Sequence, residues 1–104
     1  MLKRALNMLS RHERIQQVLE SALKPKVLTI RNDSNKHSHH KNMTEGLAQD
    51  GFTHFCLDVV SDEFTGMNRP ARHRLIYKLL QPEFDTGLHA LQIRTAKTVA
   101  EAEQ

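Results

Sequence analysis

A chain of 104 residues with 38% apolar and 26% charged side chains has the size and composition of one small globular domain. Its formal net charge of +3 permits nucleic-acid binding but is too small to indicate it. No run of about 18 apolar residues is present, so we expect no membrane-spanning helix. A single cysteine, Cys56, excludes an internal disulfide and a cysteine-only metal cage in a monomer.

The first twelve residues contain basic side chains and leucines but no acidic side chain. Lys3, Arg4 and Arg11 lie among leucines at roughly helical spacing, which is the composition of a short mitochondrial targeting segment. The alternative is that these residues are the frayed start of the first helix. We assign residues 1–9 to an N-terminal extension and predict the mitochondrial matrix as the location, with cytosol and nucleus as the alternative.

The first predicted elements are a helix and a strand. Ser10 and Glu13 fit a capping box that opens the helix, and Pro25 ends it. The β-branched run at residues 26–31 predicts a strand. Residues 32–51 have no apolar period and predict a long polar loop, a length that is usually functional or disordered in a small domain.

The stretch THFCLDVVS alternates between apolar and polar side chains, which predicts a half-buried strand. One face carries Phe55, Leu57 and Val59, and the other carries His54, Cys56 and Asp58. The alternation therefore predicts that Cys56 lies outside the deepest core.

A second helix, a third strand and a short final helix follow. Asn68 is a predicted helix cap with Pro70 in the first turn, and Pro82 breaks or restarts the helix. Residues 88–95 predict the third strand, and Thr98 is the predicted cap of the final helix. The apolar stripe of the second helix consists of Leu75, Ile76, Leu79 and Leu80.

This order of elements predicts an α/β domain in which helices cover one face of a three-stranded sheet. The first two strands can pair antiparallel across the polar loop. The second and third strands are joined through a helix.

The polar loop holds three of the seven histidines, His37, His39 and His40. Their spacing does not match an H-x-x-x-H helix motif, and no cysteine flanks them, so a complete zinc site is disfavoured. A solvated polar loop is the simplest interpretation. The other is a half-site, in which one loop histidine acts with a histidine from elsewhere and a partner supplies the remaining ligands.

Two further histidines and an arginine cluster are candidate site residues. His73, flanked by Arg72 and Arg74, is predicted to face an anionic partner, or else to pack beside Tyr77. His89 is either a satisfied residue at the edge of the core or the companion of the loop histidines. The chain contains no G-x-S-x-G, Walker A or G-x-G-x-x-G motif, so a hydrolase or nucleotide enzyme is disfavoured.

The combined motifs resemble the BolA family. They are, in the family's order, NDSNKHSHH, THF, VVSDEFTG, ARHRLIYKLL and GLHALQI. The resemblance covers about residues 10–97, leaves residues 98–104 as a tail or short helix, and is greatest to fungal members with loop histidines. It implies the class II KH-like BolA fold, in agreement with the order of elements.

The resemblance also implies a non-enzymatic function in iron–sulfur cluster assembly and trafficking. BolA-like proteins pair with monothiol glutaredoxins that carry a CGFS motif, and the heterodimer holds a bridging [2Fe-2S] cluster for insertion into recipient proteins. Glutaredoxin and its glutathione supply thiolates. The implied ligands from this chain are His89 of the H-A-L segment and His37 of S-x-x-H, with His39 and His40 as possible substitutes. Without its partner the chain is expected to be a monomer that holds no cluster.

The alternative function is a nucleic-acid-binding regulator of transcription, stress response or the cell cycle, because the implied fold is KH-like. Against it, the segment FTGMNRP holds a single glycine in place of the GXXG clamp of KH domains.

Overall fold

The computed structural model describes residues 9–32 and 54–104. In these ranges the elements, numbered in chain order, are α1 (Arg11–Leu23), β1 (Val27–Asn32), β2 (His54–Val60), a 3₁₀ helix (Asp62–Phe64), α2 (Arg69–Leu79), α3 (Gln81–Asp85), β3 (Ala90–Lys97) and α4 (Val99–Ala102). The predicted types and order are confirmed, although β1 and β3 begin one and two residues later than predicted. No helix in these ranges is long and apolar enough to cross a membrane.

Side-chain caps determine where three of the helices begin, as predicted. The Ser10 hydroxyl accepts a hydrogen bond from the Glu13 N–H at 3.1 Å, and the Glu13 carboxylate accepts one from the Ser10 N–H at 2.9 Å. Thr98 and Glu101 form the same reciprocal pair at α4, and the Asn68 side chain caps α2. These contacts satisfy N–H groups that the first turn of a helix leaves without a partner.

The three strands form one sheet in the order β1-β2-β3. β1 pairs antiparallel with β2, as predicted, and β3 pairs parallel with β2 after the crossover through α2 and α3. A register shift opposite Leu57 and Asp58 interrupts the parallel pairing. The predicted fold class, a mixed α and β domain with a three-stranded sheet, is confirmed.

The core lies between the helices and one face of the sheet. On β2 the inward residues are Phe55, Leu57 and Val59, each no more than 2% exposed. The core residues that pack with them are Ile15, Leu19 and Leu23 of α1, Phe64, Ile76 of α2, Leu80, Leu88, and Leu91 and Ala96 of β3. α1 and α2 therefore cover the same face of the sheet, as the order of elements predicted.

Cys56 lies outside the main core cluster, as predicted, but is more deeply buried than the alternation of β2 indicates. The residue lies on the face of β2 opposite the helices but is only 2% exposed. Arg31 of β1 and Gln92 of β3 lie directly opposite it in the sheet. A central strand flanked by long side chains buries a small thiol even on an open face, which strand alternation alone does not reveal.

A buried ionic cluster, absent from the sequence predictions, connects α1 to α3. Arg11 donates to the Glu83 carboxylate at 2.8 Å, and Arg14 donates to both of its oxygens at 2.9 Å. The side chains of Arg11 and Glu83 are each 9% exposed. Charges removed from water in this way need their partners, because an unpaired buried charge is costly.

Replacing Glu83 by Gln is expected to lower the free energy of unfolding by about 2–3 kcal/mol. This is below the ~3–5 kcal/mol for breaking a fully buried pair, because Arg14 keeps a third of its side chain in water. Urea denaturation at neutral pH measures the effect. The exposed Glu63→Gln control is expected to change the value by less than about 0.5 kcal/mol. Equal values for the two variants would contradict a stabilising role for the cluster.

Candidate functional site

One end of the sheet brings together the parts of the chain that carry the predicted ligands. Asn32, the last residue of β1, lies directly opposite Phe55, and His54, the first of β2, lies opposite Ala90, the first of β3. Residues 33–53 therefore leave and rejoin the sheet at this end, and His89 immediately precedes β3 there. We call this region, formed by Asn32, His54, His89 and Ala90, the histidine end of the sheet.

The backbone on both sides of His89 is anchored in the core. Leu88 is 4% exposed and its N–H donates to the Glu83 carbonyl at 2.8 Å, while Leu91 is 8% exposed. Gly87 enters this segment with a φ of 129°, a conformation that side chains disfavour. His89 itself is exposed and is not part of the core. The anchored backbone presents this imidazole to solvent in a fixed place.

His54 also lies at the histidine end, although the sequence did not indicate it as a candidate ligand. Its imidazole ring lies beside that of His89, with ring centroids 5.4 Å apart and planes inclined at 41°. Placing the two strands in parallel register would have revealed the pair, since His54 pairs with the residue directly after His89. That register joins strands from distant parts of the chain, and the local sequence pattern does not specify it.

The loop histidines His37, His39 and His40 lie outside the described residues. His37 follows Asn32 by five positions, a span of at most about 18 Å for an extended chain. Two strand spacings separate β1 from β3, about 10 Å in all. Chain length thus permits His37 to meet His89, and the pairing of these two residues stays a prediction.

Arg72 is a structural residue in addition to any partner role. It is 9% exposed and donates to the carbonyls of Met67 and Ala96 at 2.8 and 2.9 Å. It also pairs with both carboxylate oxygens of Glu101, at 2.6 and 3.1 Å. The donors of Arg72 therefore hold α2 against β3 and α4, and its contact with a partner stays a prediction.

His73 and Arg74 point to different surroundings on α2. His73 is half-buried and lines a groove of about 680 Å³ between α2, β3 and the C-terminal residues. Arg74 is exposed. The groove is also lined by the basic residues Arg69, Arg94 and Lys97. Partner binding by His73 and Arg74 remains a prediction that this basic surface favours.

The Arg72–Glu101 pair makes stability depend on pH. Hydrogen bonding from Arg72, with help from the Thr98 N–H, lowers the pKa of Glu101 from 4.5 to about 2. A carboxyl whose folded pKa is depressed stabilises the fold above its unfolded pKa, and this stabilisation is lost as pH falls through the folded pKa. We expect the stability difference between the wild type and Glu101→Gln to be constant above about pH 5 and to shrink toward pH 2. Urea midpoints across this range test it, and a pH-independent difference would contradict it.

The described residues do not complete a metal site by themselves. Within residues 9–32 and 54–104, no group of three or more His, Cys, Asp or Glu side chains is arranged to hold a metal ion. Cys56, which follows His54 by two positions, is buried and not accessible to solvent. The histidine end thus supplies two imidazoles, and any further ligands must come from outside the described residues or from another molecule.

Comparison with known families identifies the chain. The family model described as BolA-like protein matches residues 19–101. The chain belongs to the BolA-like family. The BolA-like domain predicted from the sequence motifs includes nearly all of the matched segment, and the family resemblance is confirmed.

Individual relatives agree with this assignment. The UV-induced protein uvi31 of Schizosaccharomyces pombe is 52% identical over 98 residues, which cover 94% of this BolA-like chain and 95% of the relative. The DNA-binding transcriptional regulator BolA of Escherichia coli is 37% identical over 83 residues, covering 80% and 71% of the two chains.

A third relative contains the same domain within a longer protein. SufE-like protein 1, chloroplastic/mitochondrial, of Arabidopsis thaliana is 48% identical over 92 residues, which cover 88% of this chain and 24% of the relative. The solved BolA domain of SufE1 from Arabidopsis thaliana superposes with a TM-score of 0.74 at 47% identity, covering 90% of this chain and 98% of that domain. The BolA fold is therefore shared, and relatives of this chain include organellar proteins.

Proposed function

We propose that this BolA-like protein is a non-enzymatic adaptor in iron–sulfur cluster assembly that pairs with a monothiol CGFS glutaredoxin. The [2Fe-2S] cluster is its cargo, and His89 and His37 are its ligands toward that cargo. The observation that carries the proposal is the histidine end of the sheet. There the exposed imidazole of His89, on an anchored backbone, lies at the same end of the sheet as Asn32 and His54, the two residues that border residues 33–53.

An incomplete ligand set fits an adaptor better than a resident metal centre. Two imidazoles leave a [2Fe-2S] cluster short of ligands, so thiolates of glutaredoxin and its glutathione are needed to complete the coordination. Imidazole in place of thiolate raises the reduction potential of such a cluster, as in Rieske centres. A cluster held in this mixed way depends on the heterodimer, which suits transfer to a recipient protein.

The basic groove is proposed to orient the partner. His73 lines it, Arg74 is an exposed cation on the same helix, and Arg72 holds the surrounding elements in place through Glu101 and two carbonyls. Long-range attraction between charged surfaces raises association rates and falls with salt. Loss of His73 or Arg74 is therefore proposed to slow heterodimer formation without removing a cluster ligand.

Anaerobic mixing with glutaredoxin tests the adaptor function. Purified chain is added to cluster-loaded CGFS glutaredoxin and, in parallel, to the apo form, and complexes are separated by size exclusion. The expected result is a 1:1 heterodimer whose visible circular dichroism differs from that of the glutaredoxin homodimer. An unchanged spectrum at saturating chain, with no co-elution, would refute the proposal.

Nucleic-acid binding is the second candidate function. A relative bears the name DNA-binding transcriptional regulator, and the exposed cations Arg69, Arg74 and Lys78 lie on α2. A charge-driven contact with DNA weakens steeply as salt rises, with a slope set by the number of phosphates neutralised. A measurable affinity in 0.15 M salt that is lost in an Arg69, Arg74 and Lys78 triple alanine variant would support this candidate.

We also propose the mitochondrial matrix as the site of action. A relative described as chloroplastic/mitochondrial supports an organellar location, and the acid-free, basic first residues support the matrix. Residues 1–8 lie outside the described part of the chain. Residues 1–25 fused to a fluorescent protein should enter mitochondria, whereas a diffuse cytosolic signal would remove the basis for this location.

A further inference from the structure

The pairing of His54 with His89 has a geometry that the adaptor function does not require. Both side chains are attached at the start of hydrogen-bonded strands, His54 as the first residue of β2 and His89 directly before β3. Their ring centroids lie 5.4 Å apart. Because the parallel register fixes the two backbones relative to each other, the two imidazoles are held together without any ligand.

This separation can be compared with that of two imidazoles on one metal ion. A zinc–nitrogen bond of about 2.1 Å places each ring centroid about 3.2 Å from the metal, so a tetrahedral angle separates the centroids by about 5.2 Å. A square-planar copper ion, with nitrogens at right angles, would bring them to about 4.5 Å. The observed 5.4 Å is closer to the tetrahedral value.

We propose that His54 and His89 chelate one Zn²⁺ ion, in a site that shares His89 with the His37–His89 pair proposed for the cluster. Zinc accepts imidazole ligands in a tetrahedral set, and the two positions that this pair leaves open would be taken by water or by groups of another molecule. Preorganisation of both ligands by the sheet lowers the entropic cost of binding. Since His89 belongs to both pairs, bound zinc occupies the ligand that the cluster needs, and zinc and cluster compete for it.

Zinc binding is measured on the chain alone, so the result is independent of any glutaredoxin partner. The loop histidines are first removed in a His37→Ala, His39→Ala and His40→Ala background, so that they provide no alternative imidazoles. Calorimetric titration with ZnCl₂ is then combined with NMR of the histidine ring signals. The expected result is one Zn²⁺ per chain, with the ring signals of His54 and His89 shifting together at the same zinc concentrations.

Substitution of either imidazole should weaken this binding. In the loop-deficient background, His54→Ala and His54→Gln are each expected to lower zinc affinity by at least about tenfold, the minimum cost seen for perturbing a metal ligand's surroundings. His89→Ala should do the same. The matched controls His12→Ala and His73→Ala, on other elements, should leave the affinity unchanged.

The backbone amide spectrum of each variant establishes that it is folded, and His54→Gln preserves the polar volume if the alanine variant is perturbed. Zinc affinity that is unchanged in folded His54→Gln, or ring shifts confined to His89, would overturn the proposal. A negative result here leaves the glutaredoxin experiment unaffected, because that experiment is carried out without zinc and depends on His37 and His89.

Discussion

Replacing Phe64 by Ala is expected to lower the free energy of unfolding by about 3–5 kcal/mol, the range observed for truncating a buried aromatic side chain. Phe64 is fully buried in the 3₁₀ helix that follows β2 and belongs to the main core. The guanidinium carbon of Arg72 also lies 5.6 Å from the centre of its ring. Since domains of this size have about 5–15 kcal/mol of stability, the variant should be close to unfolding at 37 °C.

Urea denaturation followed by circular dichroism measures this loss as a shift in midpoint at constant slope. The control is Phe64→Leu, which keeps most of the apolar volume and is expected to cost less than about 1.5 kcal/mol. A loss below about 1 kcal/mol in Phe64→Ala would mean that the 3₁₀ helix is not part of the cooperative core.

Replacing His89 by Ala is expected to abolish the heterodimer-specific cluster spectrum while heterodimer formation itself persists. His89 is held by an anchored backbone, so little ordering is needed when it binds iron. The sequence predicts that His37 lies in a long polar loop, and His39 or His40 can replace it as a ligand. We therefore expect His37→Ala to weaken the spectrum and His89→Ala to remove it.

The comparison requires two separate readouts, visible circular dichroism for the cluster and size exclusion for the heterodimer. His73→Ala is the control on α2, expected to keep the spectrum and to change only the rate of association. An intact heterodimer spectrum with His89→Ala would show that the proposed ligand set is wrong, even if the two proteins still pair.

Local sequence signals predicted the parts of this fold that depend on neighbouring residues. The Ser10–Glu13 capping box, the Asn68 cap and the strand that includes Leu57 each depend on residues a few positions apart. The family motifs identified His89 as a candidate ligand, and the structure shows that it is exposed.

Features that depend on distant residues could not be predicted in the same way. The Glu83 cluster brings together charges about 70 positions apart, and its burial follows from how α1 and α3 pack. The Cys56 thiol is covered by side chains of both neighbouring strands, and the His54–His89 pair depends on parallel register. Alternation along one strand contains none of this information.

The central claim, that this BolA-like protein shares a [2Fe-2S] cluster with a monothiol glutaredoxin, is tested most directly by anaerobic co-purification. The chain and a CGFS glutaredoxin are co-expressed, isolated through a tag on the chain, and analysed for iron, acid-labile sulfide and visible circular dichroism. We predict a coloured 1:1 complex with two irons and two sulfides per heterodimer, as a [2Fe-2S] cluster requires. A colourless chain recovered without glutaredoxin, alongside a normally loaded glutaredoxin homodimer, would contradict the account.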